Sequence, residues 1–239
     1  MGNGLSLQDR IANADKTLVL SLSDAKLKTL PKDVLAIKQL RNLDLSHNRL
    51  DTLPTSCAKW TSLKTINLSH NLFSSVPFDL SKLVKMETLN MSANSLLSIP
   101  AEIACLVNLK SLNVSGNRIK SIPDEIGALT ALVTLDLSSN AVTVLPVALA
   151  SCKALEEINA SNNRIQEVPE ALGALSELKA LRISNNKLNG FPSAVLKNSR
   201  VVWIEIEGNA DFDDQKLREV DGYGEFEVRR KEKILSREK

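Results

Sequence analysis

The chain has 239 residues, of which 43% are hydrophobic and only 3% aromatic, so we expect a sizeable core built from aliphatic side chains. Its formal net charge of +2 argues against a dedicated nucleic-acid binder, which would carry a marked basic excess. No apolar run approaches the ~18 residues that a membrane-spanning helix needs. This predicts a protein that is soluble or anchored by something other than a transmembrane segment.

The first six residues read MGNGLS. This is the N-myristoylation pattern, in which removal of Met1 frees the amine of Gly2. The modifying enzyme also recognises the hydroxyl of Ser6. We therefore predict a lipid anchor at Gly2. One myristoyl chain binds a membrane only marginally, so stable residence needs a second signal.

Residues 1–16 are expected to form this N-terminal segment and a cap. Leu7, Ile11 and Ala14 recur at the spacing of one helical face, which predicts a short helix that covers the end of the core. Thr17 then begins a degenerate first unit of a repeat.

From residue 17 to residue 209 the sequence repeats every 23 residues, as eight full units and the start of a truncated ninth. Eight asparagines keep this spacing: Asn48, Asn71, Asn94, Asn117, Asn140, Asn163, Asn186 and Asn209. So do all eight prolines of the chain: Pro31, Pro54, Pro77, Pro100, Pro123, Pro146, Pro169 and Pro192. The consensus of the units is LxxLxLxxNxLxxLPxxLxxLxx.

Each unit is predicted to form one strand, one turn and one short helical segment. The LxL segment, such as Leu43 and Leu45, has a period of two, so both apolar side chains point to one side of a strand. The Asn amide offers donors and an acceptor to turn backbone that would otherwise be buried without partners, so a ladder of asparagines is expected. The proline prevents immediate helix continuation, and the apolar spacing after it favours a short helical or 3-10 turn.

Residues 210–239 break the repeat and are predicted to form a helical cap with a basic tail. Asp213 or Asp214 can cap a helix that begins just after them. Helical spacing then continues through Leu217, Val220, Tyr223 and Phe226. Gly222 and Gly224 predict a kink or a break in that helix. The basic residues that follow are either a second membrane signal or a merely solvated helix; they are Arg229, Arg230, Lys231, Lys233, Arg237 and Lys239.

The repeat resembles the leucine-rich-repeat superfamily, in particular its 23-residue LP-containing intracellular class. The resemblance implies an α/β solenoid of about nine repeats, with a curved parallel β-sheet on the concave face and short helical or 3-10 turns on the convex face. The start MGN and the segment from Glu205 to Tyr223 are similar to the leucine-rich repeat-containing protein 57 family, which implies a small, myristoylated, repeat-only protein. The repeat body is also similar to the Ras-suppressor and Scribble-type scaffolds.

Solenoids of this kind usually bind partners on the concave strand face. Toward the C-terminus of that face, Trp203 lies among charged residues, which is the composition of a binding hot spot. The alternative is a Trp that shields the end of the core. The predicted partner-binding residues are Asp44, Asn67, Asn90, Asn113, Asp136, Glu157, Asn159, Arg182, Trp203 and Glu205.

No catalytic, cofactor-binding or metal site is predicted. His47 and His70 occupy the same repeat position and are expected to stack, but no third and fourth ligand converge on them. The serines that recur along the strands have no positioned base, and no glycine-rich phosphate loop is present. The chain is therefore predicted not to be an enzyme, and to bind no cofactor, nucleic acid or small-molecule substrate.

The predicted function is that of a scaffold or adaptor. The three cysteines form no CxxC pair and no secretory signal is evident, so a cytoplasmic, reducing location is expected. Cys57 and Cys152 fill apolar positions of the repeat, whereas Cys105 is one position off and is expected to be partly exposed. We expect a monomer that binds a protein partner on its concave face and associates with a membrane through its lipid. The alternative is a regulatory subunit that docks on an enzyme such as a small GTPase or a phosphatase.

Overall fold

The computed structural model describes residues 6–37 and 39–236. Nine three-residue strands form one open parallel sheet in chain order, and each pairs in register with the equivalent residues of the next unit, as Leu43 does with Ile66. The strands are β1 (Val19–Ser21), β2 (Asn42–Asp44), β3 (Thr65–Asn67), β4 (Thr88–Asn90), β5 (Ser111–Asn113), β6 (Thr134–Asp136), β7 (Glu157–Asn159), β8 (Ala180–Arg182) and β9 (Trp203–Glu205). The predicted fold, a solenoid of parallel strands and short turns, is confirmed.

The N-terminal end of the core is covered by helix α1 (Leu7–Thr17), which packs against β1. The hydroxyl of Ser6 accepts a hydrogen bond from the backbone N–H of Asp9, and the Asp9 carboxylate accepts one from the backbone N–H of Ser6. This reciprocal capping box satisfies donors that the first helical turn leaves free. Ile11 and Ala14 are the buried residues of the helix.

A 3-10 turn follows the strand of each of the first seven units on the side of the core opposite the sheet. The turns are Lys32–Ala36, Thr55–Lys59, Leu80–Lys82, Ala101–Cys105, Asp124–Ala128, Val147–Ser151 and Glu170–Ala174, and the eighth unit has helix α2 (Ser193–Asn198) in their place. A proline stands directly before all but one of these segments, because its fixed φ suits the extended residue that precedes a turn. After Pro77 the turn starts later, at Leu80, with the Asp79 side chain as its cap.

The C-terminal end carries two helices, α3 (Asp214–Glu219) and α4 (Tyr223–Leu235). Asp213 caps α3 by accepting a hydrogen bond from the backbone N–H of Lys216 at 2.9 Å. Of the two glycines, Gly222 makes the break, with a φ of 96°, whereas Gly224 lies inside α4. α4 packs against α2 and buries Phe226.

From the second unit onward, one asparagine of each unit joins that unit to the one before it. In Asn163, the side-chain Nδ2 donates to the carbonyl oxygens of Leu137, Ala160 and Ser161 at 3.0, 3.1 and 3.2 Å, while its Oδ1 accepts from the backbone N–H of Val142 at 2.9 Å. The pattern recurs, with one carbonyl fewer at the last member, in Asn48, Asn71, Asn94, Asn117, Asn140, Asn186 and Asn209. The amide thus satisfies backbone groups that face the interior.

Neighbouring turns approach closely where one of them carries a glycine. A Cβ added at Gly173 would lie 2.6 Å from the carbonyl carbon and oxygen of Ala194 in α2, and one added at Gly127 would lie 2.7 Å from the carbonyl oxygen of Ala148. Backbone cannot move aside as a flexible side chain can. Glycine is therefore required at these two positions by space.

Replacing one ladder asparagine should destabilise the whole stack. We expect Asn163→Ala to lower the free energy of unfolding by about 2–4 kcal/mol, because an unsatisfied buried polar group costs roughly 1–3 kcal/mol and the change leaves several. Urea unfolding followed by far-UV circular dichroism measures this. The matched control is Asn189→Ala, which removes an exposed amide and is expected to change the value by less than about 0.5 kcal/mol. Equal effects of the two would contradict the role of the ladder.

The close approach of the turns gives a second expected outcome. Gly173→Ala should cost about 1–3 kcal/mol of unfolding free energy, because the added methyl group overpacks the contact with α2. The control is Gly224→Ala in α4, where nothing lies within 4 Å of the added Cβ. This control should be neutral or stabilising by up to about 1 kcal/mol, since alanine favours a helix over glycine. Thermal unfolding of the two variants compares them, and a neutral Gly173→Ala would be inconsistent with the packing.

Candidate functional site

The residues predicted to bind a partner lie at the first and third positions of the strands, which flank a buried middle residue from β2 to β7. The first-position residues Glu157 and Trp203 are exposed. The third-position residues are half-buried, and they are Asp44, Asn67, Asn90, Asn113, Asp136, Asn159, Arg182 and Glu205. Together they form a strip of polar side chains along one face of the sheet.

Most of this strip has a local structural role that was not predicted from the sequence. From β2 to β7 the third-position side chain is Asp or Asn, and its Oδ1 accepts a hydrogen bond from the backbone N–H of the serine two residues later, at 2.9–3.2 Å. Such Asx turns hold the chain as it leaves a strand. The signal was present in the sequence as a repeated Asx-x-Ser spacing. These six residues are therefore explained without a partner.

The pattern changes at β8 and β9, where charged side chains replace the Asx residues and pair with each other. Glu205 Oε1 accepts hydrogen bonds from Arg182 Nε at 3.2 Å and from the indole Nε1 of Trp203 at 2.6 Å. Arg182 Nη1 also donates to Glu157 Oε2 at 3.4 Å. Four of the predicted residues thus converge into one network, which we call the C-terminal cluster: Glu157, Arg182, Trp203 and Glu205.

Helix α4 adds a wall beside the C-terminal cluster. The guanidinium of Arg230 lies over the Trp203 ring, 5.7 Å from its centroid. Between this helix and the last strands is a cleft of about 480 Å³, which we call the C-terminal cleft; it is lined by Glu157, Lys179, Ala180, Arg182, Arg200, Val202, Trp203, Arg230, Lys233 and Ile234. The sequence predicts a solvated or membrane-binding tail for Arg230 and Lys233, because no repeat pattern indicates where α4 packs.

The two histidines do stack, with ring centroids 4.1 Å apart and planes 12° from parallel. The residue before each ladder asparagine has a positive φ, between 52° and 77°, and these residues are His47, His70, Ala93, Gly116, Ser139, Asn162, Asn185 and Gly208. Residues 6–37 and 39–236 contain no group of three or more His, Cys, Asp or Glu side chains that could hold a metal ion. The two histidines thus occupy a left-handed turn position that Ala, Gly, Ser or Asn fills in the later units.

All three cysteines are free, and two are buried in the core. Burial raises the pKa of the Cys57 thiol to about 12 and that of Cys152 to about 11, because the charged thiolate would lose its solvation. Both thiols are therefore protonated at neutral pH and are poor nucleophiles. Cys105 is partly exposed.

A second charged feature lies at the N-terminal ends of strands β3 to β5. Glu87 accepts hydrogen bonds from Lys110 Nζ at 2.8 Å and from Lys64 Nζ at 2.6 Å, so one carboxylate bridges three neighbouring units. These bonds, from Lys110 first and then from Lys64, lower the pKa of Glu87 to about 2. The bridge is exposed and joins one carboxylate to two lysines, so we interpret it as a structural link between neighbouring units at this edge of the sheet.

The proposed lipid anchor at Gly2 lies outside the described residues. Ser6, which belongs to the same pattern, is among the described residues and serves as the N-cap of α1. Its presence is therefore explained either by capping or by myristoylation. Among the helices of the described part of the chain, none has the length and apolar character to cross a bilayer.

Comparison with known sequences gives the family context. The family profile described as "Leucine-rich repeat region" matches residues 77–201, and that described as "Leucine rich repeat" matches residues 38–96. No curated protein matches the chain.

Solved structures share the fold. A leucine-rich repeat protein of Leptospira interrogans is 29% identical with a TM-score of 0.78, and the alignment covers 84% of this chain and 58% of that one. The ectodomain of the plant membrane receptor kinase GASSHO1/SCHENGEN3 from Arabidopsis thaliana, in complex with Casparian strip integrity factor 2, is 28% identical with a TM-score of 0.61, over 76% of this chain and 26% of that one. An internalin of Listeria monocytogenes, 23% identical, has a TM-score of 0.69 over 87% of this chain and 67% of its own. The chain thus spans only part of the length of the first two of these proteins.

The bridge at Glu87 gives a pH-dependent outcome. Because its pKa is lowered to about 2 from an ordinary value of 4.5, its ion pairs stabilise the fold above pH 4.5 and are lost as the pH falls toward 2. We therefore expect the urea midpoint to fall less between pH 5 and pH 2 in Glu87→Gln than in the wild type. Glu102→Gln, at an exposed glutamate without an ion pair in the described chain, should behave like the wild type. Identical profiles for all three proteins would contradict the bridge.

Proposed function

The chain belongs to the leucine-rich repeat family, and we propose that it is a non-enzymatic scaffold that binds a protein partner through the C-terminal cluster and is tethered to a membrane by a myristoyl group on Gly2. Interaction with protein partners is the general role of such repeats. The plant receptor ectodomain to which the chain is similar was itself solved in complex with Casparian strip integrity factor 2. The observation that carries the proposal for this chain is the break in its own pattern at β8 and β9.

The C-terminal cluster has the properties of a binding site. Trp203 is 44% exposed although its indole N–H is already satisfied by Glu205, so a partner can cover the ring without leaving a polar group unpaired. Arg182 is held between two carboxylates before any partner arrives, which reduces the entropy that binding must overcome. Large, rigid aromatic and Arg side chains are the residues that dominate binding free energies.

The membrane part of the proposal rests on the first six residues and on the C-terminal segment. The MGNGLS pattern supports myristoylation, and the similarity of both ends to the leucine-rich repeat-containing protein 57 family supports membership of that family. In this proposal the protein is cytoplasmic and membrane-associated. The regulatory-subunit alternative uses the same binding surface, so the identity of the neighbouring proteins in cells distinguishes the two.

The proposed surface is tested by proximity labelling in cells, with the labelling enzyme fused to the C-terminus so that Gly2 stays free. We expect Trp203→Ala and Arg182→Glu to lose a defined set of neighbours, since each removes a central side chain of the C-terminal cluster. Arg164→Glu makes the same charge change at an exposed arginine outside the cluster and is expected to keep that set. If both cluster variants retain every neighbour while remaining folded by circular dichroism, the surface is wrong. A set dominated by one enzyme whose activity the chain changes would favour the regulatory alternative.

The lipid anchor is tested separately by metabolic labelling with an alkyne myristate. The wild type is expected to incorporate the label and to fractionate in part with membranes. Gly2→Ala should do neither, because myristate is attached only to an N-terminal glycine. Ser6→Ala is a useful comparison, since it also removes the N-cap of α1 and should cost about 1 kcal/mol of stability. Absence of label on the wild type would reject the anchor and leave the binding surface untouched.

A further inference from the structure

The C-terminal cleft has an apolar floor, and one apolar side chain of its helical wall also lines it. Ala180 of β8 is buried, Val202 beside β9 is half-buried, and Trp203 is exposed. From the opposite side, α4 contributes Ile234, which is 45% exposed. Apolar side chains that face each other across a cavity of about 480 Å³ can enclose one large apolar side chain of a ligand.

The charges that surround this floor are not balanced. Three of the five cations that line the cleft are compensated: Lys179 by Glu156 at 2.7 Å, Arg200 by Glu177 at 3.0 Å, and Arg182 by Glu157 and Glu205. The other two, Arg230 and Lys233, form no ion pair within residues 6–37 and 39–236. Both project from α4, so the excess positive charge lies on the helical wall. A ligand that brings carboxylates to that wall is favoured.

A second depression lies beside the cleft along the sheet, and together they define the length of a ligand that fills both. That depression, of about 230 Å³, runs from β5 to β8 and shares Glu157 and Arg182 with the cleft. From β5 to β9 the sheet spans about 19 Å, at ~4.8 Å for each strand, which is the length of about six extended residues. A small anion fills only one end of this track, whereas an extended polypeptide fills all of it.

The track also has a direction. Its β5–β7 part is lined by neutral amides and hydroxyls together with Asp136 and the paired Glu157 and Arg182, and the Asp136 carboxylate disfavours acidic side chains there. Its α4 end carries the uncompensated Arg230 and Lys233. Acidic residues of a ligand are therefore favoured at one end of the track only.

We propose that the C-terminal cleft binds an extended protein segment in which a large apolar residue is followed by acidic residues. The apolar residue lies on Trp203, the carboxylates pair with Arg230 and Lys233, and neutral polar residues run back along the strip toward β5. This inference rests on the proposed function, since it names the class of partner that the C-terminal cluster recognises. It assigns to α4 a role in recognition in addition to its role as a cap.

The test begins with selection of a phage-displayed library of random twelve-residue peptides on the purified full chain. Enriched peptides are expected to share one large apolar residue followed by Asp or Glu. The Kd of the most enriched peptide, measured by fluorescence anisotropy, is expected to rise about 30-fold in Trp203→Ala, as for a hot-spot residue. It should rise about tenfold in the double variant Arg230→Gln and Lys233→Gln, and the effect should shrink at high salt. The matched control Lys231→Gln lies between them in sequence, on a lysine that pairs with Glu227, and is expected to leave the Kd unchanged.

The outcomes separate this inference from the function on which it rests. If the peptides depend on Trp203 but bind the double variant as tightly as the wild type, the proposed binding surface stands and the recognition of acidic residues is overturned. Peptides that depend on neither would overturn both, and failure to enrich any peptide overturns the inference. Vesicles of phosphatidylcholine with phosphatidylserine form a parallel arm: binding that the double variant loses, without any selected peptide, would assign the cations to a lipid surface instead.

Discussion

Each turn of the solenoid leaves backbone groups of two neighbouring units facing the interior, and the amide of one asparagine satisfies groups on both. An isolated unit offers the asparagine only half of its partners. The hydrogen bonds are complete only when units stack in register, so the ladder ties local turn geometry to the long-range order of the sheet. Strand register, the alternation of buried side chains and the close packing of the turns all follow from that stacking.

The same repetition restricts where binding can be specified. From β2 to β7 the third strand position is occupied by Asx turns, and the residue before each ladder asparagine needs a left-handed backbone. These positions serve the fold. At β8 and β9 the third strand position no longer forms an Asx turn, and there the chain places Arg182 and Glu205 next to Trp203, beside a helix that is not part of the repeat. The candidate site is thus located at the boundary between the periodic and the aperiodic structure.

The sequence predicts the periodic part well, because strands, turns and ladder depend on residues within one unit and its neighbour. It also limits the cap of α3 to Asp213 or Asp214, since N-capping is local, and the structure shows that Asp213 is the cap. The sequence does not predict the position of an element when that position depends on packing. The turn after Pro77 is displaced because Asp79 offers an alternative cap. The place of Arg230 in the candidate site depends on how Phe226 and the left-handed Gly222 set α4 against α2, and no spacing along the chain encodes that contact.

The attachment of α4 to the last full unit has a consequence for cooperativity. Lys197 pairs with Asp221, and Arg229 donates to the carbonyl of Leu196, so the helix is joined to the end of a one-dimensional stack. In such a stack the terminal units have one neighbour and open before the middle ones. A ligand held between β9 and α4 binds only the closed end, and its binding free energy is added to the stability of that end. Occupancy would therefore be reported by slower amide exchange in the last units, with the N-terminal units unaffected.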